Sequence, residues 1–240
     1  MGILGESQQR AAVFVGPGLT DRDYDEIDTG SVDLYPPIRR GDLDQAMKAG
    51  YRVIGIIDGE FFHTLAVSPK EILVALREQR QILGGSSMGA LRAAEMDVYG
   101  MQGIGTIYGW FRDGTVTRDD DVALMFGCLD DRSYRTTTVP MVNVMWAVRE
   151  FKRLDLMALP SRRRLSVAAR RIHWAERTWD RVCDEADLDS GERDTVRAWS
   201  RDPDNDLKRI DSKLVIERAA ALVGVQRPTV APQARKAGQT

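Results

Sequence analysis

The chain has 240 residues, of which 43% are hydrophobic and 29% are charged, a composition typical of a soluble globular protein with a substantial core. Its formal net charge of −2 gives no reason to expect nucleic acid as a partner. The two cysteines, Cys128 and Cys183, are far apart and form no C-x-x-C pair, which excludes a zinc ribbon or a disulfide scaffold and favours a cytoplasmic location.

Short apolar segments alternate with amphipathic segments over the first part of the chain. The apolar segments are rich in β-branched residues and are predicted to be strands, whereas the amphipathic segments have apolar residues at helical spacing. Pro69 suits the first turn of a helix, and Gly50 suits the position just after one. The predicted strands lie within residues 11–18, 52–59 and 81–85, and the predicted helices lie within residues 41–50, 69–79 and 88–96.

This alternation predicts an α/β fold with a three-layer parallel sheet and helices on both faces. Strands that are apolar at every position are those of a sheet that is covered on both sides. In such a sheet, ligands bind beyond the carboxyl ends of the strands. Three loops follow the predicted strands, and we expect them to meet at one edge: Gly16-Pro17-Gly18, Asp58-Gly59 and Gly85-Ser86-Ser87.

The second half of the chain has a mainly helical pattern. Residues 118–126 are predicted to form a capped helix, and a last helix is expected at residues 207–224. We predict three parts, namely an α/β core domain over residues 1–150, a mostly helical C-terminal region over residues 151–225 and a disordered tail over residues 226–240.

Residues 85–89, Gly-Ser-Ser-Met-Gly, fit the pattern G-x-S-x-G between a predicted strand and a predicted helix. This context would present the Ser87 hydroxyl as a nucleophile on a sharp turn. The amides of Met88 and Gly89, at the start of the helix, could then hold an oxyanion. The alternative is that Ser87 only caps the helix.

A nucleophilic serine needs a base, and the chain has only two histidines. His63 follows the Asp58 loop and could reach the same edge of the sheet, whereas His173 lies in the helical region and is interpreted as structural. Lys70, at the start of the next helix, is the other candidate. Asp58 either orients the base or shapes its turn. The chain order of an α/β-hydrolase triad is not evident, so a standard triad is not predicted.

Other motifs narrow the function further. The pattern G-x-x-x-x-G-K-[ST] is absent and Gly16-Pro17-Gly18 is not a dinucleotide fingerprint, so we predict no cofactor. Asp119-Asp120-Asp121 are interpreted as acids favoured at a helix start, and no metal site is predicted. No segment approaches transmembrane length, so no membrane partner is expected. Arg40 could bind an anion or could be plain surface charge.

Several of these segments resemble the TfuA-like family in their order and spacing. The resemblance covers residues 11–150 and does not extend into the helical region beyond them. It is carried by VFVGPGL at 13–19, YPPIRRGDL at 35–43, VIGIIDGEF at 53–61, KEILVAL at 70–76, GGSSMGALRAAE at 84–95 and GMQGIGTIYGWFRDG at 100–114.

The resemblance implies a function beside a YcaO-type enzyme, which activates backbone amides of a ribosomal peptide. The protein would hydrolyse a thiocarboxylated ubiquitin-like sulfur carrier and deliver the sulfide to the YcaO enzyme for thioamide formation, and the precursor peptide is a possible further partner through that enzyme. The alternative is a non-catalytic adaptor or an allosteric activator of the YcaO enzyme. A third possibility is a site for a small ligand at the edge of the sheet.

Under the hydrolase hypothesis, single residues have expected roles. Ser87 would attack, Lys70 would take its proton and Asp58 would orient the base. Family members often carry Trp-His directly before Lys-Glu-Ile-Leu, where this chain has Ser68-Pro69, and this difference favours Lys70 over His63 as the base. Loop contacts are expected from Gly16 and Gly59, and substrate contacts are expected from Arg40, Glu71, Arg92, Glu95 and His63.

Overall fold

A computed structural model of the protein describes residues 10–27, 30–60, 66–128 and 134–225. The predicted tail, residues 226–240, and the candidate base His63 lie outside the described residues. Within the described ranges, no helix combines the length and the apolar character needed to cross a lipid bilayer.

A parallel sheet in the order β2-β1-β3-β4-β5 lies at the centre of the described structure. Its strands are β1 (Ala11–Phe14), β2 (Val32–Tyr35), β3 (Val53–Ile56), β4 (Gln81–Gly85) and β5 (Gln102–Ile104). All four strand pairings are parallel, so the predicted α/β fold with a parallel sheet is confirmed.

The two edge strands, β2 and β5, are those that the sequence pattern does not predict. β2 is only partly buried and carries Asp33, which accepts a hydrogen bond from the hydroxyl of Tyr51 at 2.7 Å. β5 is three residues long and contains Gly103. Edge strands face solvent on part of their surface, so they lack the continuous apolar run that reveals the central strands.

Helices cover both faces of the sheet, as predicted. The helices are α1 (Asp21–Glu26), α2 (Asp42–Lys48), α3 (Pro69–Arg77), α4 (Met88–Met96), α5 (Gly105–Arg112), α6 (Met141–Arg153), α7 (Leu159–Arg171), α8 (Trp179–Glu185), α9 (Ser190–Arg201) and α10 (Leu207–Val225). Ala12 and Ile54 pack with α2, α3 and α4 on one face, while Val13 and Val53 pack with α10 on the other. Successive residues of a strand point to opposite faces, which produces this division.

Helix α3 begins where its sequence signals predict. The Ser68 hydroxyl accepts a hydrogen bond from the Glu71 amide at 3.3 Å, and the Glu71 carboxylate accepts one from the Ser68 amide at 2.8 Å. This reciprocal capping box, with Pro69 in the first turn, fixes the start of the helix. Lys70 is therefore held in the first turn, at the end of α3 that follows β3.

The C-terminal half has a core of its own, but its last helix joins the sheet. Helices α6 to α9 pack around Phe151, Leu165 and Val182. Helix α10 packs on the sheet instead, through Val215 and Ala219. The predicted domain boundaries stay predictions, although α10 shares the core of the sheet rather than that of the preceding helices.

The prediction of a helix over residues 118–126 is wrong. Asp119–Asp121 form a single 3₁₀ turn, and the chain then extends into β6 (Phe126–Cys128), which pairs with β7 (Tyr134–Thr136) in an antiparallel hairpin. Three consecutive aspartates favour a turn over a continued helix, because their short side chains compete for backbone hydrogen bonds.

Candidate functional site

The loops after β1 and β3 meet at the carboxyl-terminal edge of the sheet, here called the rim. Asp58, directly beyond β3, accepts hydrogen bonds from the amides of Gly16 at 3.0 Å and Gly18 at 2.9 Å. One carboxylate oxygen therefore holds the Gly16-Pro17-Gly18 loop in place. The expected meeting of these two loops is seen directly in the structure.

A buried lysine from a distant part of the sequence completes this contact. Lys208, in the first turn of α10, lies with its Nζ 3.5 Å from a carboxylate oxygen of Asp58. Both residues are 3% exposed. The Lys208 ammonium also donates to the Val122 carbonyl at 3.3 Å. A buried pair of opposite charges with further hydrogen bonds is the arrangement that makes such burial tolerable.

Two further polar groups of α10 lie along the rim. Asp211 accepts hydrogen bonds from the amides of Thr106 at 2.9 Å and Ile107 at 2.8 Å, in the first turn of α5. Burial raises the pKa of Asp211 to about 6, although these two amides act in the opposite direction. Ser212 approaches the loop after β1, and its hydroxyl donates to the Lys208 carbonyl at 2.7 Å.

Sequence reasoning missed this polar face of α10, but a signal was present. Lys208, Asp211 and Ser212 are spaced three and four residues apart, so they share one side of the helix. The same side continues into Val215 and Ile216, which are buried against the sheet. Polar residues that extend a buried apolar stripe are therefore the pattern that could have indicated the site.

The turn after β4 places Ser86 in a strained backbone conformation. Ser86 has a φ of 63°, in the left-handed region that non-glycine residues seldom adopt. Its hydroxyl is buried and hydrogen bonds to none of the described residues. Strain and an unpartnered buried polar group at one residue are features that cluster at functional sites.

Ser87 itself precedes α4 and is 3% exposed. Its side chain makes no capping hydrogen bond, so the alternative interpretation of Ser87 as a helix cap lacks the contact that defines a cap. The hydroxyl thus lies at the start of α4 but accepts no hydrogen bond from the amides of that helix. Ser87 remains a candidate nucleophile in a narrow, largely closed setting.

Two glycines bring the start of α4 unusually close to the sheet. A Cβ atom on Gly89 would overlap the Ile56 carbonyl oxygen, and one on Gly84 would overlap the Gly89 carbonyl oxygen. The Gly89 amide donates to the Ile57 carbonyl at 3.1 Å, so in this structure it is not free to bind an oxyanion. The side chain of Met88 is buried, and no hydrogen bond between described residues uses its amide.

The structure does not join the predicted base to the predicted nucleophile. Lys70 is exposed, and no hydrogen bond or ion pair between described residues links it to Ser87 or Asp58. The carboxylate of Glu71 is occupied by the α3 cap and by the Gly41 amide at 2.6 Å. Glu71 therefore organises the loops around α3 in this conformation.

The remaining predicted contacts divide into surface and packing roles. Arg92 donates to the Val67 carbonyl at 2.9 Å and pairs with Glu95 at 2.6 Å, which ties α4 to the segment before α3. Gly59 forms a bridge with Ile38 beside the rim. Arg40 is exposed and forms no ion pair with another described residue. His63 lies outside the described residues.

A groove opens between the loop after β1 and residues of the C-terminal half of the chain. It encloses about 450 Å³ beside the loop after β1 and continues into an adjoining cavity of about 420 Å³. We call the two together the rim groove. Its lining residues include 17–20, 134–140, Asn143, Trp179, 199–203 and Arg209. In sheets of this strand order, ligands bind at the reversal point between β1 and β3, and the loop after β1 is the part of that point that lines the groove.

The strand order and the polar rim define a doubly wound α/β protein with a candidate site at the carboxyl ends of its strands. Residues 58–178, half of the chain, match the family model of the TfuA-like proteins. The chain therefore belongs to the TfuA-like family. No curated protein matches it. The matched range includes Asp58, Ser86 and Ser87, whereas Lys208 and the loop after β1 lie outside it.

Proposed function

We propose that this protein hydrolyses a thiocarboxylated ubiquitin-like sulfur carrier and passes the sulfide to a YcaO-type enzyme, which installs a backbone thioamide in a ribosomal peptide. Membership of the TfuA-like family supports the pairing with a YcaO enzyme. One observation carries the catalytic part of the proposal: a strained serine turn with unused hydroxyls lies on the same rim as the buried pair of Asp58 and Lys208.

In the proposed reaction, the Ser87 oxygen attacks the thiocarboxylate carbon while Lys70, which has no hydrogen bond to Ser87 in this structure, accepts the hydroxyl proton. The carbon–sulfur bond then breaks, which leaves an acyl-serine ester and releases hydrogen sulfide after proton transfer. Water hydrolyses the ester, restores the serine hydroxyl and leaves the carrier with an ordinary carboxylate. The Met88 amide is the candidate donor to the developing oxyanion, because it is the first amide of α4 and lacks a partner among the described residues.

In this scheme Asp58 and Lys208 position the rim and do not exchange protons with the substrate. Asp58 fixes the loop that contains Gly16, and Lys208 holds the Asp58 carboxylate from the opposite side. Gly59 keeps the chain beyond β3 close to Met88, because a side chain there would contact the Met88 Cγ atom at 2.9 Å.

The test is sulfide release from a purified thiocarboxylated carrier, followed with a thiol-reactive dye. We expect Ser87→Ala to reduce the rate by about 100-fold or more, as for loss of a nucleophile. Lys70→Met should reduce it by about tenfold or more. Ser190→Ala, at an exposed serine of α9, is the matched control and should leave the rate unchanged. Full activity of Ser87→Ala in a folded protein would contradict the nucleophile assignment.

A second candidate function is that of a non-catalytic adaptor for the YcaO enzyme and the carrier. It is favoured by the low exposure of Ser87 and by the engagement of the Gly89 amide within the fold. The two functions differ when free sulfide is supplied to the YcaO enzyme. With the hydrolase function, added sulfide restores thioamide formation in the presence of Ser87→Ala. With the adaptor function, Ser87→Ala is already fully active with the carrier as sulfur source.

A further inference from the structure

A smaller pocket, of about 220 Å³, lies between the 3₁₀ turn of Asp119–Asp121 and the C-terminal end of α7. None of its lining residues lines the rim groove. Drug-sized ligands occupy sites of about 300–1,000 Å³, so this pocket suits a smaller group. The residues that line it are Arg118, Asp120, Asp121, 170–174 and Arg177.

Arg177 is the buried cation of this pocket. It is 4% exposed, and its guanidinium donates to the carbonyls of Ala169 at 2.9 Å and Ile172 at 3.2 Å. These bonds satisfy carbonyl groups at the end of α7, which explains why an arginine is buried there. They do not use the Nη1 atom, which is buried and forms no hydrogen bond with any described residue. A buried donor without a partner is rare and requires an explanation.

The positive charge of Arg177 is also unpaired, because it forms no ion pair with another described residue. Asp120 pairs with Arg118 at 2.6 Å, and Asp121 pairs with Arg170. Burial lowers the pKa of Arg177 although both aspartates oppose this shift, and a guanidinium stays protonated at neutral pH. A buried charge without a counter-ion is costly, so an anion in this pocket would be stabilising.

The pocket as a whole has an excess of positive charge. Four arginines line it against two aspartates, so two positive charges remain when both aspartates are ionised. One of these arginines, Arg171, lies 3.5 Å from Glu185, and both side chains are well exposed. An exposed ion pair contributes little to stability, so Arg171 can exchange Glu185 for a ligand at little cost.

His173 adds a neutral donor to the pocket. Its Nδ1 accepts a hydrogen bond from the Ala175 amide at 3.3 Å, which places the proton of the neutral ring on Nε2. Nε2 donates to none of the described residues. The ring of His173 lies 5.4 Å from that of Trp174, so two flat rings border the charged groups.

We propose that this pocket binds a phosphate group, either as inorganic phosphate or as part of a small phosphate ester. The exposed Arg118 and Arg171 contact the phosphate oxygens, and the buried Arg177 attracts them through its charge. A dianion matches the excess of two positive charges, and the fork of N–H groups on a guanidinium matches the oxygens of a phosphate. The inference goes beyond the proposed function and does not depend on it.

Calorimetric titration of the full-length protein with sodium phosphate tests the site. The titration is made above neutral pH, where phosphate is mainly dianionic, and sodium chloride keeps the ionic strength constant. We expect saturable binding, and we expect sodium acetate, with a single charge, to bind about tenfold more weakly. Equal affinity for acetate would overturn the assignment to phosphate, and a lack of saturable phosphate binding would overturn the site itself.

Phenyl phosphate distinguishes the two sources of the phosphate group. It carries the same group on an aromatic ring, which can pack on His173 and Trp174. An affinity at least about threefold higher than that of inorganic phosphate would identify a phosphate ester as the ligand. An equal or lower affinity would identify inorganic phosphate.

Substitutions at residues that are not buried locate the site. Arg171→Gln removes a positive charge and should weaken phosphate binding by about tenfold. Arg163→Gln, at an exposed arginine of the same helix outside the pocket, is the matched control and should leave the affinity unchanged. Asp120→Asn removes a negative charge and should tighten binding by about threefold or more. Unchanged affinity in both Arg171→Gln and Asp120→Asn would overturn the inference.

Arg177→Met tests the buried charge. Phosphate should raise the Tm of the unmodified protein, because a ligand of the folded state stabilises that state, and Arg177→Met should lose this increase. The increase is measured within each variant, so the effect of the substitution on stability and the general effect of phosphate on proteins do not enter the comparison. An equal increase in both proteins would overturn the role of Arg177. If Arg177→Met does not fold, the affinities of Arg171→Gln and Asp120→Asn decide, because neither residue is buried.

Discussion

The loop after β1 and the turn after β4 lie at the same rim, yet the buried polar groups of the loop are hydrogen bonded and one of those in the turn is not. In the loop after β1, the amides of Gly16 and Gly18 are satisfied by Asp58, which is balanced by Lys208. In the turn after β4, the Ser86 hydroxyl is buried without a described partner, on a backbone that is strained. The first is a completed network, and the second contains unused hydrogen-bonding capacity.

This contrast helps to distinguish architecture from chemistry. A satisfied buried network contributes to stability and specifies one arrangement of the chain. An unsatisfied, strained residue lowers stability, so it persists only where the fold holds it in place. We therefore expect substitutions in the network to destabilise the protein and the removal of the unused hydroxyl to stabilise it.

The largest effect on stability is expected at the start of α4, which lies in close contact with the sheet. Gly89→Ala would force a Cβ atom into the Ile56 carbonyl, which is backbone and cannot move aside, so the free energy of unfolding should fall by about 4 kcal/mol or more. Gly109→Ala is the control, because a Cβ atom at this helical glycine of α5 has open space around it. It should raise stability by about 0.8 kcal/mol. Urea denaturation measures both, and a stable Gly89→Ala variant would show that α4 can shift.

An intermediate effect is expected from the completed network. Lys208→Met leaves the Asp58 carboxylate buried without its counter-charge, and we expect a loss of about 3 kcal/mol in the free energy of unfolding. Lys152→Met, at an exposed lysine of α6, should change stability by less than about 0.5 kcal/mol. A loss below about 1 kcal/mol for Lys208→Met would mean that the pair contributes no more than a surface ion pair.

The smallest effect has the opposite sign and tests the unused hydroxyl. Ser86→Ala removes a buried hydroxyl that has no described partner, so stability should rise by about 1 kcal/mol. Ser212→Ala is a matched substitution at a buried serine whose hydroxyl does donate, to the Lys208 carbonyl, and stability should fall by about 1 kcal/mol. Thermal melting of the two variants compares them directly. A destabilised Ser86→Ala would reveal a native partner for that hydroxyl.

The sequence predicts the central strands and the loops beyond them, because burial on both faces imposes a continuous apolar pattern. Asp58 and the serine turn are found in this way. The edge strand β2 is missed, since partial exposure breaks its pattern. Lys208 is missed for a different reason. It lies at the rim only because α10 packs on the sheet, and the sequence around Asp58 does not indicate which distant residue will pair with that carboxylate.

The position of α10 in the chain has a consequence for biosynthesis. Arg209 pairs with Asp23, 186 residues earlier, and Asp211 reaches amides more than 100 residues before it. Every strand of the sheet leaves the ribosome before these partners exist, so a nascent chain carries Asp58 and its glycine loop uncovered. Such distant contacts form late and slowly. The polar network of the rim is therefore complete only after α10 has left the exit tunnel.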